Sequence, residues 1–254
     1  MTPSPVVQFT RVTRRFDYLT ALDDVTLAIP AGAVVGLIGR NGSGKSTLLH
    51  HITGLLLPSS GAVTTFGVPS AALGTTELSR IGAMSQQARY LDWMSVNRLL
   101  RYVGGFYARW DDARVQRLRE RFELDGNARV GGLSPGNRQR LGLLMALGHH
   151  PELLLLDEPL SDLDPTARRT ALEILLEIYD EDKPTIVISS HLLHDIEPVV
   201  AHVVSLANGT AVNTKETFIP LRGPKGNSLD VAVDPSQLKL VKVGDQVEAV
   251  YTEA

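Results

Sequence analysis

Gly39-Arg40-Asn41-Gly42-Ser43-Gly44-Lys45-Ser46 carries the pattern G-x-x-x-x-G-K-[ST]. Glycines let a backbone wrap closely around phosphate oxygens with its amide N–H groups turned inward. A helix opening at Lys45 adds the partial positive charge of its N-terminus. Lys45 is then placed to reach the β- and γ-phosphates of a nucleotide, and Ser46 to offer its hydroxyl to Mg²⁺. A glycine-rich turn with a chance lysine is the plainer alternative. It lacks the context found here, a continuous apolar run over Ala33–Ile38 before the motif and a helix after it.

Leu153-Leu154-Leu155-Leu156-Asp157-Glu158-Pro159 reads as an apolar strand ending in two carboxylates. Open parallel sheets bind ligands at the carboxyl ends of their strands. Asp157 would therefore lie beside the phosphate cradle and hold Mg²⁺ directly or through water, while Glu158 could polarise an attacking water. Alone, the segment is equally a buried strand with a solvated acidic turn. Beside the cradle it becomes the hydrolytic half of a phosphate site.

These groups need elements to position them. Val6–Phe9, Val25–Ile29, Ile81–Met84 and Thr185–Ser189 read as further strands. A helix is expected from near Lys45 to about Leu56, ahead of Pro58, and another from Pro165 to about Tyr179. Between Trp93 and Gly148, apolar residues recur at helical spacing: Leu99, Leu100, Val103 and Phe106, then Val115, Leu118 and Phe122, then Leu141, Leu144 and Leu147. The whole predicts an α/β fold with a mostly parallel sheet and a helical insertion. From about Thr217 the composition shifts. Gly223–Asn227 and Gly244-Asp245 read as turns, and Leu229–Val233 and Val247–Tyr251 as strands of a small β-rich extension. That extension is either a regulatory or dimer-stabilising module or a folded-back tail.

Bulk composition narrows the classes. The 254 residues include no cysteine, which excludes disulfides and cysteine metal sites. The net charge of −3 gives no global basic surface for nucleic acid. Arg114, Arg117, Arg119 and Arg121 alternate with Asp111, Asp112, Glu120 and Glu123, which reads as a solvated helix face. The first residues lack the apolar run of a signal peptide, and no stretch approaches the ~20 apolar residues of a membrane-spanning helix. Any membrane role is expected to come through a partner.

The order of the motifs over roughly Val6 to Asn213 resembles the ATP-binding cassette (ABC) ATPases. Gly39–Ser46 looks like the family's Walker A element and Leu153–Glu158 like its Walker B. Leu133-Ser134-Pro135-Gly136-Asn137-Arg138-Gln139 resembles the signature motif, and Ser161-Asp162-Leu163-Asp164 the D-loop. Pro135 stands where the family has a glycine, Asn137 where glutamine is frequent, and Asp162 where a small residue is common. Proline removes one N–H from the signature turn.

The resemblance implies a P-loop NTPase core with an N-terminal antiparallel β part, a helical subdomain of about 87–148 within an ATPase domain of 1–216, and an extension over 217–254. It implies ATP and Mg²⁺ as ligands. Gly39, Arg40, Asn41, Gly42, Ser43, Gly44, Lys45, Ser46 and Thr47 would bind the nucleotide. Gln86, with Gln87 as the alternative register, resembles the glutamine that helps hold Mg²⁺ and senses the membrane partner. Phe16, with Tyr18 as rival, falls where an aromatic stacks on adenine. Catalysis would rest on Glu158, Lys45 and the switch histidine His191, and metal binding on Ser46, Gln86 and Asp157. Ser134 and Gly136 would close over ATP held by a second cassette, identical or paralogous. A separate transmembrane permease would complete an exporter-like transporter, with this chain peripheral on the cytoplasmic face. A soluble ABC ATPase working on ribosomes or DNA, and a regulatory ATPase outside transport, are the other classes.

Overall fold

The computed structural model describes residues 5–86, 88–207, 209–211, 218–222 and 228–232. Strands β1 (Pro5–Phe16) and β2 (Leu19–Pro30) pair antiparallel. β4 (Ser60–Thr65) and β5 (Val68–Pro69) complete a four-stranded sheet in the order β2-β1-β4-β5. The larger sheet is built on β3 (Val34–Ile38), β6 (Ile81–Met84), β7 (Leu153–Leu156), β8 (Thr185–Ser190) and β9 (His202–Ala207), with β10 (Thr210–Ala211) antiparallel to β9. β11 (Phe218–Arg222) and β12 (Ser228–Ala232) form a hairpin whose second strand runs parallel to β9, giving the order β11-β12-β9-β3-β8-β7-β6. Gly223–Asn227, Gly244-Asp245 and Val247–Tyr251 lie outside the described residues.

Side chains of a strand alternate between its faces. Leu153, Leu155, Val35, Leu37 and Val187 accordingly meet Leu48 and Ile52 of α1 (Lys45–Ile52) and Phe9 and Leu22 of the small sheet. Leu154, Leu156, Val34, Ile186 and Ile188 face the opposite way. They share a core with α3 (Val96–Gly104), α4 (Asp112–Arg121), α5 (Pro135–Leu147) and α6 (Pro165–Asp182). Each fully buried leucine contributes roughly 1.5–3 kcal/mol, so this double covering is what holds the central strands rigid. Two short helices, α2 (Thr75–Leu78) and α7 (Leu193–Ile196), fill connections.

Helix starts follow capping chemistry. Ser95, Asp111, Ser134 and Asp164 each accept a backbone N–H from the first turn of α3, α4, α5 and α6. The ends were less readable. α1 stops at Ile52, short of Leu56, because Gly54 adopts φ +73° with no room for a side chain beside Ser70 O. α3 stops at Gly104, packed against Trp110, which leaves Phe106 beyond the helix and 67% exposed. β4 and β9, poor in alternating pattern, had no sequence expectation.

Arg114 corrects the sequence reading of a solvated face: it is 1% exposed. Its guanidinium lies 2.5 Å from Asp182 at the end of α6 and 2.6 Å from His150 Nδ1, and His150 Nε2 meets Asp111 at 3.2 Å. Charge periodicity alone could not reveal that α6 supplies a carboxylate, Asp182, for this buried arginine.

Nearby, His149 is 1% exposed, stacks on Tyr107 at 3.9 Å and contacts Ile81 O through Nε2 at 3.1 Å. Burial pulls its imidazole down to about 4, against a partial opposing effect of the Ile81 carbonyl. The unfolded chain therefore binds a proton near pH 6.5 that the folded chain refuses until about 4. Stability is complete above 6.5 and falls as pH drops through that window, by up to about 3 kcal/mol. Urea melts of wild type and His149→Phe at pH 7 and pH 5 test this. The variant should lose less stability on acidification; equal losses would remove His149 from the effect.

Candidate functional site

β3, β8 and β7 are neighbours and parallel, so their C-terminal ends open along one edge of the sheet. The glycine-rich loop leaves β3, the two carboxylates follow β7, and Ser189, Ser190 and His191 close β8. Gly39 N donates to Ser190 O at 3.4 Å, tying the loop to that edge.

Two loop glycines sit where other residues are strained, Gly42 at φ +82° and Gly44 at φ +104°. A Cβ on Gly39 would lie 2.4 Å from Ser43 Oγ and 2.5 Å from Leu206 O, and one on Gly44 would lie 2.4 Å from Ala21 O. Around Gly42 there is open space. The loop is thus pressed against β9 and the β1–β2 hairpin on one side and accessible on the other. Ser43 Oγ is buried without a hydrogen-bond partner among the described residues. Arg40, Asn41 and Gly42 are exposed, and Ser46 and Thr47 are half-buried in the first turn of α1.

Lys45 is 6% exposed. Its ammonium donates to Gly39 O at 2.6 Å and Arg40 O at 3.3 Å, and lies 3.3 Å from Glu158 Oε1. The other Glu158 oxygen meets His191 Nδ1 at 3.0 Å, with the imidazole 41% exposed. The Glu158 side chain is 5% exposed, and its two oxygens face one nitrogen each, Lys45 Nζ and His191 Nδ1. The arrangement sets a carboxylate between a buried ammonium and an imidazole reaching toward solvent.

Glu158 is itself held in the left-handed region at φ +49°. Its N–H donates to Ser189 Oγ at 2.8 Å, and that hydroxyl donates onward to Asp157 Oδ1 at 2.6 Å. Its carbonyl accepts from Gln139 Nε2 at 2.5 Å and from Ser161 Oγ at 3.1 Å. Ser189 and Gln139 were not singled out from sequence. The available signal for Ser189 was a hydroxyl ending the apolar strand Thr-Ile-Val-Ile-Ser. Gln139 closes the stretch Leu133–Gln139 that resembles the signature motif, but no role was assigned to it.

The other sequence-derived residues are placed as follows. Gln86 is exposed in the turn after β6, whose C-terminal end shares the edge, and Gln87 lies outside the described residues. Phe16 is half-buried under the Arg14 guanidinium at 4.3 Å, whereas Tyr18 is fully exposed. Both sit at the β1–β2 turn, on the hairpin that abuts Gly44. Ser134 is exposed and caps α5, accepting from Asn137 N at 3.2 Å. Pro135 occupies the first helical position, where the missing N–H has no intrahelical partner to lose. Gly136 presses on Asp162, where a Cβ would lie 2.9 Å from the backbone oxygen. Gly136 therefore packs on the Asp162 turn with Ser134 shortly before it in the chain, while Gly39, Arg40 and Glu158 gather around Lys45 and His191 meets the far side of Glu158.

The family described as ABC transporter matches residues 22–161. NatA, an ABC transporter ATP-binding protein of Bacillus subtilis (strain 168), is 34% identical, with 82% of this chain and 88% of that one aligned. YxlF of the same organism, an uncharacterized ABC transporter ATP-binding protein, is 36% identical over 74% of this chain and 63% of its own length. The methionine import ATP-binding protein MetN of Bifidobacterium longum (strain NCC 2705) is 31% identical over 87% of this chain, which spans 59% of MetN. Among solved structures, a dimeric ATP-binding cassette in a post-hydrolysis state bound to ADP and Pi superposes with a TM-score of 0.72 at 25% identity, covering 81% of this chain and 96% of that one. Among the described residues no helix is long and apolar enough to cross a membrane.

Proposed function

Since the chain belongs to the ABC transporter ATP-binding family of ATPases, we propose that it binds Mg·ATP at the β3–β7–β8 edge and hydrolyses it to drive a separate membrane-spanning subunit. The observation that carries this reading is the buried Lys45–Glu158 pair with His191 on its outer side, at the ends of parallel strands. Lys45 and the loop N–H groups grip the terminal phosphates. Glu158 takes a proton from the attacking water, and His191 steadies that carboxylate and faces the γ-phosphate. Phosphoryl transfer asks for positioning and charge stabilisation more than covalent chemistry, which suits groups locked by packing.

The donors near the phosphates are oxygens. Asp157 Oδ1 is occupied by Ser189, which leaves Oδ2 for a cation, and the Ser46 hydroxyl stands at the start of α1. Such a sparse oxygen set suits Mg²⁺, which keeps waters and phosphate oxygens as its remaining ligands. Gln86, in the turn after β6 on the same sheet edge, is the third protein group proposed for this role. Bound there, Mg²⁺ would neutralise charge developing on the phosphates.

Two cassettes are proposed to sandwich two nucleotides, Ser134 and Gly136 of each closing over the phosphates held by the other. The dimeric arrangement of the ADP- and Pi-bound neighbour supports this pairing. Trp93, Tyr102 and Phe106, exposed on the helical part at 60%, 50% and 67%, support docking of a hydrophobic partner there. Outward movement of cargo rests on the signature region alone, and MetN is named for import. Gentle detergent extraction followed by identification of bound proteins tests the reading. A multi-span membrane protein is expected; a ribosomal or DNA partner would sink the transport assignment, and uptake into inverted vesicles would read the direction.

A further inference from the structure

We propose that Gln139 is a positioning residue that holds Glu158 at its task and ties it to the helix presenting Ser134. The inference rests on the catalytic assignment of Glu158 above and adds a residue to it.

Gln139 lies in the second turn of α5 and is 6% exposed. Both ends of its amide are used. Nε2 donates to Glu158 O at 2.5 Å and lies 3.3 Å from Ser161 Oγ, while Oε1 accepts from Asp162 N at 3.0 Å. One planar side chain therefore spans the turn that carries Glu158 and the turn that carries Asp162. Both turns belong to the segment between β7 and α6, remote in sequence from α5.

The Glu158 backbone needs holding. A glutamate at φ +49° costs of order 1 kcal/mol or more against an ordinary conformation. The residue is held on both sides of its backbone, by Ser189 Oγ on the N–H and by Gln139 Nε2 with Ser161 Oγ on the carbonyl. Loss of the Gln139 bond leaves that carbonyl to Ser161, a contact within the same turn that moves with it, so the backbone is free to relax toward φ < 0 and swing the carboxylate away from Lys45 and His191. A displacement of about 1 Å at a reacting group costs up to about 100-fold in rate, so a small relaxation is visible in turnover. Ser189 cannot substitute, because its hydroxyl is already committed to Asp157.

The same amide links this carboxylate to α5, whose N-cap Ser134 is proposed to serve the partner's nucleotide. Movement of α5 on dimer closure is thereby transmitted to this chain's own Glu158 through one side chain.

The test compares Gln139→Glu and Gln139→Met in the full chain. Glutamate keeps the shape and the acceptor for Asp162 N but turns an oxygen toward the Glu158 carbonyl; methionine keeps the volume and loses both bonds. Steady-state phosphate release well below the melting temperature should show kcat reduced about tenfold with KM for Mg·ATP within about twofold of wild type. Single-turnover rates in a Glu158→Gln background should show no further loss on adding either substitution, since Gln139 acts through Glu158. Wild-type kcat in folded variants overturns the proposal. So does an equal loss in the Glu158→Gln background, and so does loss of folding in both variants, which would make Gln139 structural. Absence of turnover in the wild-type chain would instead remove the catalytic assignment of Glu158 on which the proposal stands.

Discussion

Glu158→Gln should lower steady-state phosphate release by about 10²–10⁴-fold while leaving ATP binding intact. The amide keeps the size and backbone of the residue, and so keeps the Ser189 and Gln139 clamps on its peptide. What it loses is basicity: it cannot take a proton from water. It also loses the charge facing Lys45 at 3.3 Å, which frees the ammonium to commit fully to phosphate. The predicted phenotype is therefore asymmetric, with slow hydrolysis and persistent ATP-bound dimers. Phosphate release and size-exclusion chromatography with Mg·ATP read the two halves. Turnover within a few-fold of wild type would show that another group takes the proton.

Lys45→Ala should have the larger effect on binding, weakening ATP by at least about 100-fold, or roughly 3 kcal/mol, as expected when charge-assisted contacts to phosphate are removed. Calorimetry with Mg²⁺ present measures it, and unaltered affinity would contradict the cradle. A second consequence follows from burial. The substitution strips the Glu158 carboxylate, 5% exposed, of its cationic neighbour and leaves only His191 beside it. Removing one partner of a buried pair is costly, up to about 3–5 kcal/mol, and the half-exposed imidazole should reduce that figure. Adding Glu158→Gln should restore much of the lost stability, because the orphaned charge is gone. Urea melts of the two single variants and the double variant give the coupling; strict additivity would mean that the pair contributes nothing as a pair.

The two substitutions separate binding from chemistry on one edge of the sheet. The edge exists because β7, β8 and β3 are covered on both faces, by α1 and the small sheet on one side and by α5 and α6 on the other. Strand-end residues are then fixed by rigid neighbours, and their loops stay free to approach a ligand.

Much of this was legible in the sequence. The loop around Lys45 could be read directly, because glycine spacing, a preceding apolar strand and a following helix are all local. The run Leu153–Leu156 announced a strand buried on both faces by lacking any polar alternation, and Pro165 marked the start of α6, whereas the capping roles of Ser95, Asp111 and Asp164 emerged only in the structure. Helix ends were misplaced where packing decided them, at Gly54 against Ser70 and at Gly104 against Trp110. Arg114 read as solvated because its carboxylate partner, Asp182, is separated from it by 68 residues.

By itself, the sequence determined which residue types could grip phosphate and supply a carboxylate base, since those requirements are written in short stretches of backbone conformation and side-chain chemistry. Only the tertiary structure decided that Glu158 sits between Lys45 and His191, that its backbone is held in a left-handed conformation, and that Gln139 and Ser189 hold it there. The physical reason is distance along the chain: these contacts link residues 19, 31 and 33 positions apart, and strand order and helix packing alone bring them within hydrogen-bond reach.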